Sequence, residues 1–201
     1  MNPDNDFKKI YDNYHPRIFQ YLSRMVGPTE AEDITQDVFN KINSGLEGFQ
    51  GESKLSTWIY RIATNAAIDK CRSAAYKHAT EHIAIEDGAD SDPKCVLEDH
   101  KSPATDQLVI QKEMSECINE YIDNLPPDYK TVIVLSEIEG LANKEIAEIL
   151  GISLNNVKIR LHRARAKLKS LLNEACEFYY TDKSTLACDR KQIQILPKVP
   201  K

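Results

Sequence analysis

Apolar side chains recur at three- and four-residue steps over most of this chain. From the N-terminal end, Phe7, Ile10, Tyr11, Tyr14, Ile18, Phe19, Leu22 and Met25 fall along one stripe of an α-helix. Pro16 lies inside that series, and because proline lacks an N–H and crowds the preceding turn, the pattern predicts a break or restart there. "GPTEAED" closes one helix and opens the next, with Thr29 and Glu32 spaced as a capping box and Ala31, Ile34, Val38 and Ile42 carrying the stripe on. The period stops at "SGLEGFQGES", where Gly45, Gly48 and Gly51 let the backbone turn. A third helix is predicted from near Ser53, with Leu55, Trp58, Ile59, Ile62, Ala63 and Ala66 inward, closing a compact helical unit near Ala75.

The texture then changes. "TEHIAIEDGADSDPKCVLEDHKSPAT" is acidic, holds two prolines and sustains no period, so residues 77–106 read as a flexible linker. Helical spacing resumes with Leu108, Ile110, Met114, Cys117, Ile118, Tyr121 and Ile122, and Pro126 and Pro127 interrupt it. The expectation is an all-α chain of two helical domains, 1–76 and 107–173, followed by a Cys-containing extension, 174–201, with weak signals for regular structure. Phe178, Tyr179 and Leu186 are the residues expected to pack that extension on the second domain.

Composition narrows the function. With 201 residues, 41% hydrophobic and 28% charged, the chain has enough material for two small globular domains. No apolar run approaches the roughly 18 residues of a membrane span. "MNPDNDFKK" lacks the basic and apolar regions of a secretory signal, so a cytoplasmic protein without membrane insertion is expected. Five cysteines, odd in number and without a CxxC pair, point to reduced thiols. The net charge of −5 means that any binding to nucleic acid must come from local clusters of cations.

Such a cluster exists. "NKEIAEIL" has helical spacing, Gly151 suits the turn after it, and Ser153 can cap a following helix: the grammar of a helix-turn-helix. Val157, Leu161, Ala164 and Leu168 form the buried stripe of that second helix. The other faces present Asn155, Asn156, Lys158, Ile159, His162, Arg163, Lys167 and Lys169, and no acid occurs from Ser153 to Leu172. A helix of this kind enters the major groove, where its N-terminal residues read bases and its cations hold phosphates.

In the first unit, Arg61, Asn65, Asp69 and Arg72 make a polar stripe opposite Trp58, Ile62 and Ala66. Aromatics and amides near basic residues suit a single strand, whose unstacked bases expose faces and edges, although a solvated helix face has the same pattern. "AEDITQDVFNKI" with "GFQGESKLSTWIYRIATNAAIDKCR" resembles region 2 of bacterial sigma factors, and "LPPDYKTVIVLSEIEGLANKEIAEILGISLNNVKIRLHRARAKL" resembles region 4. The two-part layout is similar to the extracytoplasmic-function group of the sigma-70 family.

The resemblance implies a promoter-specificity subunit that binds core RNA polymerase, recognises −35 and −10 promoter elements and promotes melting. Asp33, Gln36 and Asp37 match the positions that dock on the β′ clamp helices. The loop holding Phe49, Gly51 and Ser53, together with Asn65, matches the positions that capture a base flipped from the −10 element, and Arg61, Asp69 and Arg72 lie on the same helix. Asn155, Asn156, Lys158, Ile159 and Arg163 match the positions that contact the −35 element. Where many relatives carry a small polar residue, "NVKIR" places Ile159, which can offer only apolar contact, for example to a thymine methyl. Family members are often held inactive by an anti-sigma factor, which makes one a further implied partner. Regulation from within the chain, through its linker and extension, is the alternative.

"HATEH", from His78 to His82, has the form of a zinc-peptidase motif but sits at the edge of an acidic linker, and a solvated histidine pair accounts for it. With no phosphate-binding glycine loop and no nucleophile beside a base, neither catalysis nor a cofactor is expected. Cys95, Cys176 and Cys188 remain as candidate metal or redox sensors, with His78, His82 and His100 as further donors. A stand-alone helix-turn-helix regulator with an N-terminal sensor or dimerisation unit is the second reading; it would bind specific DNA without polymerase.

Overall fold

The computed structural model describes residues 3–81, 106–180 and 186–191. Helix α1 spans Pro3–Val26, α2 Pro28–Gly45 and α3 Leu55–Glu81, with a short 3₁₀ turn at Leu46–Gly48. The second unit contains α4 (Asp106–Asp123), α5 (Pro127–Ile133) running into a π-helical turn (Val134–Ile138), α6 (Asn143–Leu150) and α7 (Leu154–Ala175). Strands β1 (Cys176–Tyr180) and β2 (Leu186–Arg190) complete it as an antiparallel pair.

Helix α1 passes through Pro16 without the expected break. Pro16 is on the exposed face, where water reaches the carbonyl left without a donor, and burial of Ile10, Ile18, Tyr21, Leu22 and Met25 outweighs a local cost of about 3 kcal/mol. Helix α2 also begins differently from the expected capping box. Gly27 precedes it at φ 91°, Pro28 occupies the first turn, and Thr29 lies inside the helix, with no side-chain cap. Proline needs no hydrogen-bond donor at that position, and glycine tolerates the positive φ of the entering chain, so the two together make the start.

In the first unit, Ile18, Tyr21 and Leu22 of α1, Val38 and Ile42 of α2, and Ile59, Ala63 and Ala67 of α3 are fully buried. The Tyr21 and Thr64 hydroxyls, 2.8 Å apart, satisfy each other inside that core. In the second, Val132 to Leu135 pack with Ile146 and Ile149 of α6 and Val157, Leu161 and Ala164 of α7. Helix α3 continues to Glu81, beyond the expected end near Ala75, and α4 starts at Asp106.

The units also meet each other. Helix α3 lies against α6, and the buried residues of both halves join in one apolar cluster. The extension, expected to be irregular, forms the β1–β2 hairpin with Phe178 opposite Cys188 and Cys176 opposite Arg190. Its anchors are the buried Cys176 and Ala187, whereas Phe178, Tyr179 and Leu186 stay about two-fifths exposed. Residues alternate sides along a strand, and Cys176 pairs with Arg190 whereas Ala187 pairs with Tyr179, so each face of the ribbon is anchored by one small buried side chain.

Candidate nucleic-acid and polymerase interfaces

The turn before α7 is built as its sequence suggests. Gly151 adopts φ 63° after α6, and the Ser153 hydroxyl accepts a hydrogen bond from the Asn156 N–H at 3.2 Å. At the start of α6, the Glu145 carboxylate accepts from the Ala142 N–H at 2.8 Å. These caps fix the angle between the two helices. With Val157, Leu161 and Ala164 buried, Asn155, Asn156, Lys158, Ile159 and Arg163 are all exposed, and Ile159 is among the largest apolar side chains left in solvent.

The basic run divides into two sets. Arg160 pairs with Asp128 of α5 at 3.4 Å, and Arg165 pairs with Glu137 of the π-helical turn at 2.5 Å. That hydrogen bond from Arg165 is the main reason the Glu137 carboxyl is held below its ordinary value. Among the described residues, Lys158, Arg163, Lys167 and Lys169 have no carboxylate partner and remain available to phosphates. A shallow groove of about 340 Å³ between the start of α6 and the flank of α7 is lined by Asn143, Lys158, His162, Arg165 and Lys169.

In the first unit, the loop after α2 folds Phe49 onto Trp58, with ring centroids 5.1 Å apart. Gly51 stands at φ 75°, which lets the loop reverse beside the aromatic pair. A cleft of about 550 Å³ opens there, walled by Phe49, Gln50, Ser53, Trp58 and Arg61. Phe49, Ser53 and Arg61 therefore come together, while Asn65, Asp69 and Arg72 run outward along the exposed flank of α3. Trp58, expected as a core residue, is half-buried and doubles as a cleft wall. One wall comes from elsewhere: Glu148 of α6 also lines the cleft, and its backbone carbonyl accepts from Arg61 Nε at 3.1 Å.

Asp33, Gln36 and Asp37 share one exposed flank of α2, opposite the buried Ile34, Thr35 and Val38. A small negative surface standing clear of the core is thereby offered to a basic partner. Of the sensor candidates, Cys95 lies outside the described residues, as do His82 and His100. The Cys176 thiol donates to the Tyr121 hydroxyl at 4.0 Å, and Cys117 and Cys188 line one cavity beside it. Cys117 is the thiol that sequence reading passes over, because it sits in a regular apolar stripe. Burial pushes the Cys117 and Cys188 thiols up, which keeps them protonated and weakly nucleophilic near neutral pH. No group of three or more His, Cys, Asp or Glu among the described residues is disposed to hold a metal.

A helix-turn-helix bearing an exposed cationic face, beside a second helical unit with an aromatic cleft, is the architecture of a DNA-binding protein. The Sigma-70 region 2 family matches residues 10–76, and Sigma-70, region 4 matches residues 115–168. The chain is 36% identical over 170 residues to the ECF RNA polymerase sigma factor SigW of Bacillus subtilis, covering 84% of this chain and 89% of that relative. To the ECF RNA polymerase sigma-E factor of Haemophilus influenzae it is 33% identical over 164 residues, 82% of this chain and 86% of the other. The fold is similar to that in the co-crystal structure of the sigma factor RpoE with the anti-sigma factor NepR from Bartonella quintana, at a TM-score of 0.65 and 20% identity over 84% of this chain and 97% of that one. It is also similar to CnrH in complex with the cytosolic domain of CnrY, at a TM-score of 0.59 and 23% identity over 85% and 90% of the two chains. The chain belongs to the extracytoplasmic-function sigma factors of the sigma-70 family. It is an RNA polymerase sigma factor and acts in transcription initiation.

Proposed function

We infer that this sigma factor divides its work between two non-enzymatic domains, 1–76 and 107–173, joined by the linker 77–106, and works in the cytoplasm. Asp33, Gln36 and Asp37 dock on the β′ clamp helices of core polymerase. The cleft of Phe49, Gly51, Ser53 and Arg61 receives a base flipped out of the −10 element, with Asn65, Asp69 and Arg72 following the strand along α3. A flipped base loses its stacking partners, and the Phe49–Trp58 pair offers replacement aromatic surface at the cleft. On α7, Asn155, Asn156 and Ile159 read the −35 element, while Lys158 and Arg163 hold its phosphates. An anti-sigma factor, such as the one named with the structurally similar RpoE, is a further partner for these surfaces.

The observation that carries this reading is the exposed face of α7, whose Lys158 and Arg163 have no carboxylate partner among the described residues, joined to the cleft on α3 in one chain of a sigma family. It is tested by transcription with purified core polymerase on a library of randomised −35 and −10 elements, with and without this protein. Start sites that appear only with the protein, and that are lost on Asn65→Ala or Asp37→Lys, are expected. Sequence-specific binding without polymerase, indifferent to both substitutions, would instead favour the stand-alone regulator.

A further inference from the structure

The hairpin brings sulfur from separate parts of the chain to one place beside α4. Cys176 stands opposite Arg190 and Phe178 opposite Cys188, so Cys176, Cys188 and Arg190 share one side of the ribbon. Cys117 and Tyr121 are four residues apart on α4 and share one face of that helix. The two faces meet. The Cys176 thiol donates to the Tyr121 hydroxyl at 4.0 Å, and Arg190 reaches both the Glu120 carboxylate and the Cys117 sulfur. Cys117 and Cys188 each interact with the Cys176 thiol. A cavity of about 290 Å³ opens there, with Met114, Cys117, Cys188 and Arg190 in its wall. The base of the hairpin is fixed to the end of α7, because the Lys191 N–H donates to the Ala175 carbonyl at 2.8 Å and Lys191 Nζ to the Asn173 carbonyl at 2.6 Å.

We propose that Cys117 and Cys176 form a binding site for a monovalent thiophilic metal ion, copper(I) or its analogue silver(I), held between two thiolates where α4 meets the hairpin. Ligand type comes first: soft sulfur donors select copper(I) over magnesium, calcium or manganese, which take oxygen. Coordination number narrows the choice. Structural zinc takes four ligands, and among the described residues no three His, Cys, Asp or Glu are disposed to hold a metal, whereas two sulfurs suffice for a monovalent ion. Charge is balanced as well. The ion displaces two thiol protons to water, and the resulting complex carries one net negative charge, which Arg190 offsets from beside Cys117. An entry path exists, since Cys176 is 2% exposed while Cys117 and Cys188 are half-buried along the cavity, where Met114 adds a thioether. The site is separate from the promoter contacts: Cys176 follows the last residue of α7, about 30 Å along the helix axis from Asn155. A bound ion fastens the hairpin, and with it the far end of α7, to α4.

The test titrates the full, reduced chain without air, using copper(I) supplied as its bicinchoninate complex, and reads the loss of that complex's colour. One equivalent is expected to pass to the wild-type chain, to Cys188→Ala, and to Cys71→Ala combined with Cys95→Ala. None should pass to Cys117→Ala or Cys176→Ala at the same competitor concentration. X-ray absorption at copper should show sulfur neighbours alone, and the melting temperature of the second unit should rise with the ion in the wild-type chain but not in Cys176→Ala. Arg190→Gln leaves both ligands in place and should weaken binding by about tenfold. Glu120→Gln removes the same ion pair but keeps the guanidinium, and should not weaken it. That contrast separates charge compensation from loss of the hairpin's anchor, so the outcome does not hang on the folding of the cysteine variants. No uptake by the wild-type chain overturns the inference, as does uptake unchanged by Cys117→Ala and Cys176→Ala, or nitrogen or oxygen neighbours at copper. A tetrahedral cobalt(II) spectrum that is lost on Cys95→Ala overturns it too, by assigning these thiols to a four-ligand site of the zinc type.

Discussion

Ile159, Arg163 and Arg165 lie within two turns of α7, yet their surroundings differ. Arg163 is exposed and unpaired among the described residues, so Arg163→Ala should weaken promoter binding across sequences and reduce the salt dependence by about one phosphate contact, read from affinity against salt concentration. Arg165→Ala removes the tie to Glu137, and its main effect should fall on the melting temperature. Ile159→Thr should leave the melting temperature alone and change base preference at a single −35 position, as selection from a randomised library would reveal. Gly151 sits at φ 63°, and Gly151→Val costs about 1–2 kcal/mol because a Cβ crowds the backbone there. The Glu137 and Glu145 carboxyls are both held low, so their stabilising pairs are complete above the ordinary value of 4.5 and fail only as pH falls through the lower folded values. Thermal stability should therefore be flat from pH 6 to 8 as far as these pairs decide it, and should fall in acid. At this scale the sequence displays every exposed cation but cannot rank them, because the partner of Arg165 is 28 residues away.

Helices are legible wherever an apolar stripe meets solvent on its other side, and harder to delimit where their ends depend on distant packing. The stripes of α1, α2 and α7 are visible by eye. The passage through Pro16 is not, since local propensity argues for a break and only the buried side chains of α1 reverse it. The π-helical turn leaves no signal, yet it places Glu137 toward α7 and Glu139 toward α1 and α3, two residues apart on separate tasks. Such a bulge inserts one residue and rotates the next side chains about the helix axis, which the period of the stripe does not reveal. The hairpin escapes a reading by pattern because its buried residues are a cysteine and an alanine on opposite faces of the ribbon, while its conspicuous aromatics stay largely exposed. Truncation after Ala175 removes the Arg190–Glu120 pair and uncovers Tyr121. It should lower the melting temperature of the second unit while leaving the first unchanged, and hydrogen exchange resolves the two.

For the whole molecule, a break in texture is enough to separate two helical units, and their surface chemistry is enough to suggest two nucleic-acid surfaces. The face between them is invisible in the sequence, because Lys54, Arg61, Glu145 and Glu148 all have the character of solvated residues. Its ionic part should weaken with salt, since about 0.15 M screens exposed pairs beyond roughly 8 Å. The radius of gyration of the free chain, measured by small-angle scattering, should accordingly rise between low and high ionic strength. The order of synthesis adds a consequence of its own. Arg61 and its acceptor on Glu148 are 87 residues apart. At about 5–20 residues per second, a ribosome completes the cleft roughly 4 to 17 seconds before it makes the helix that covers it. Each new molecule thus begins with the cleft of its first unit uncovered by α6.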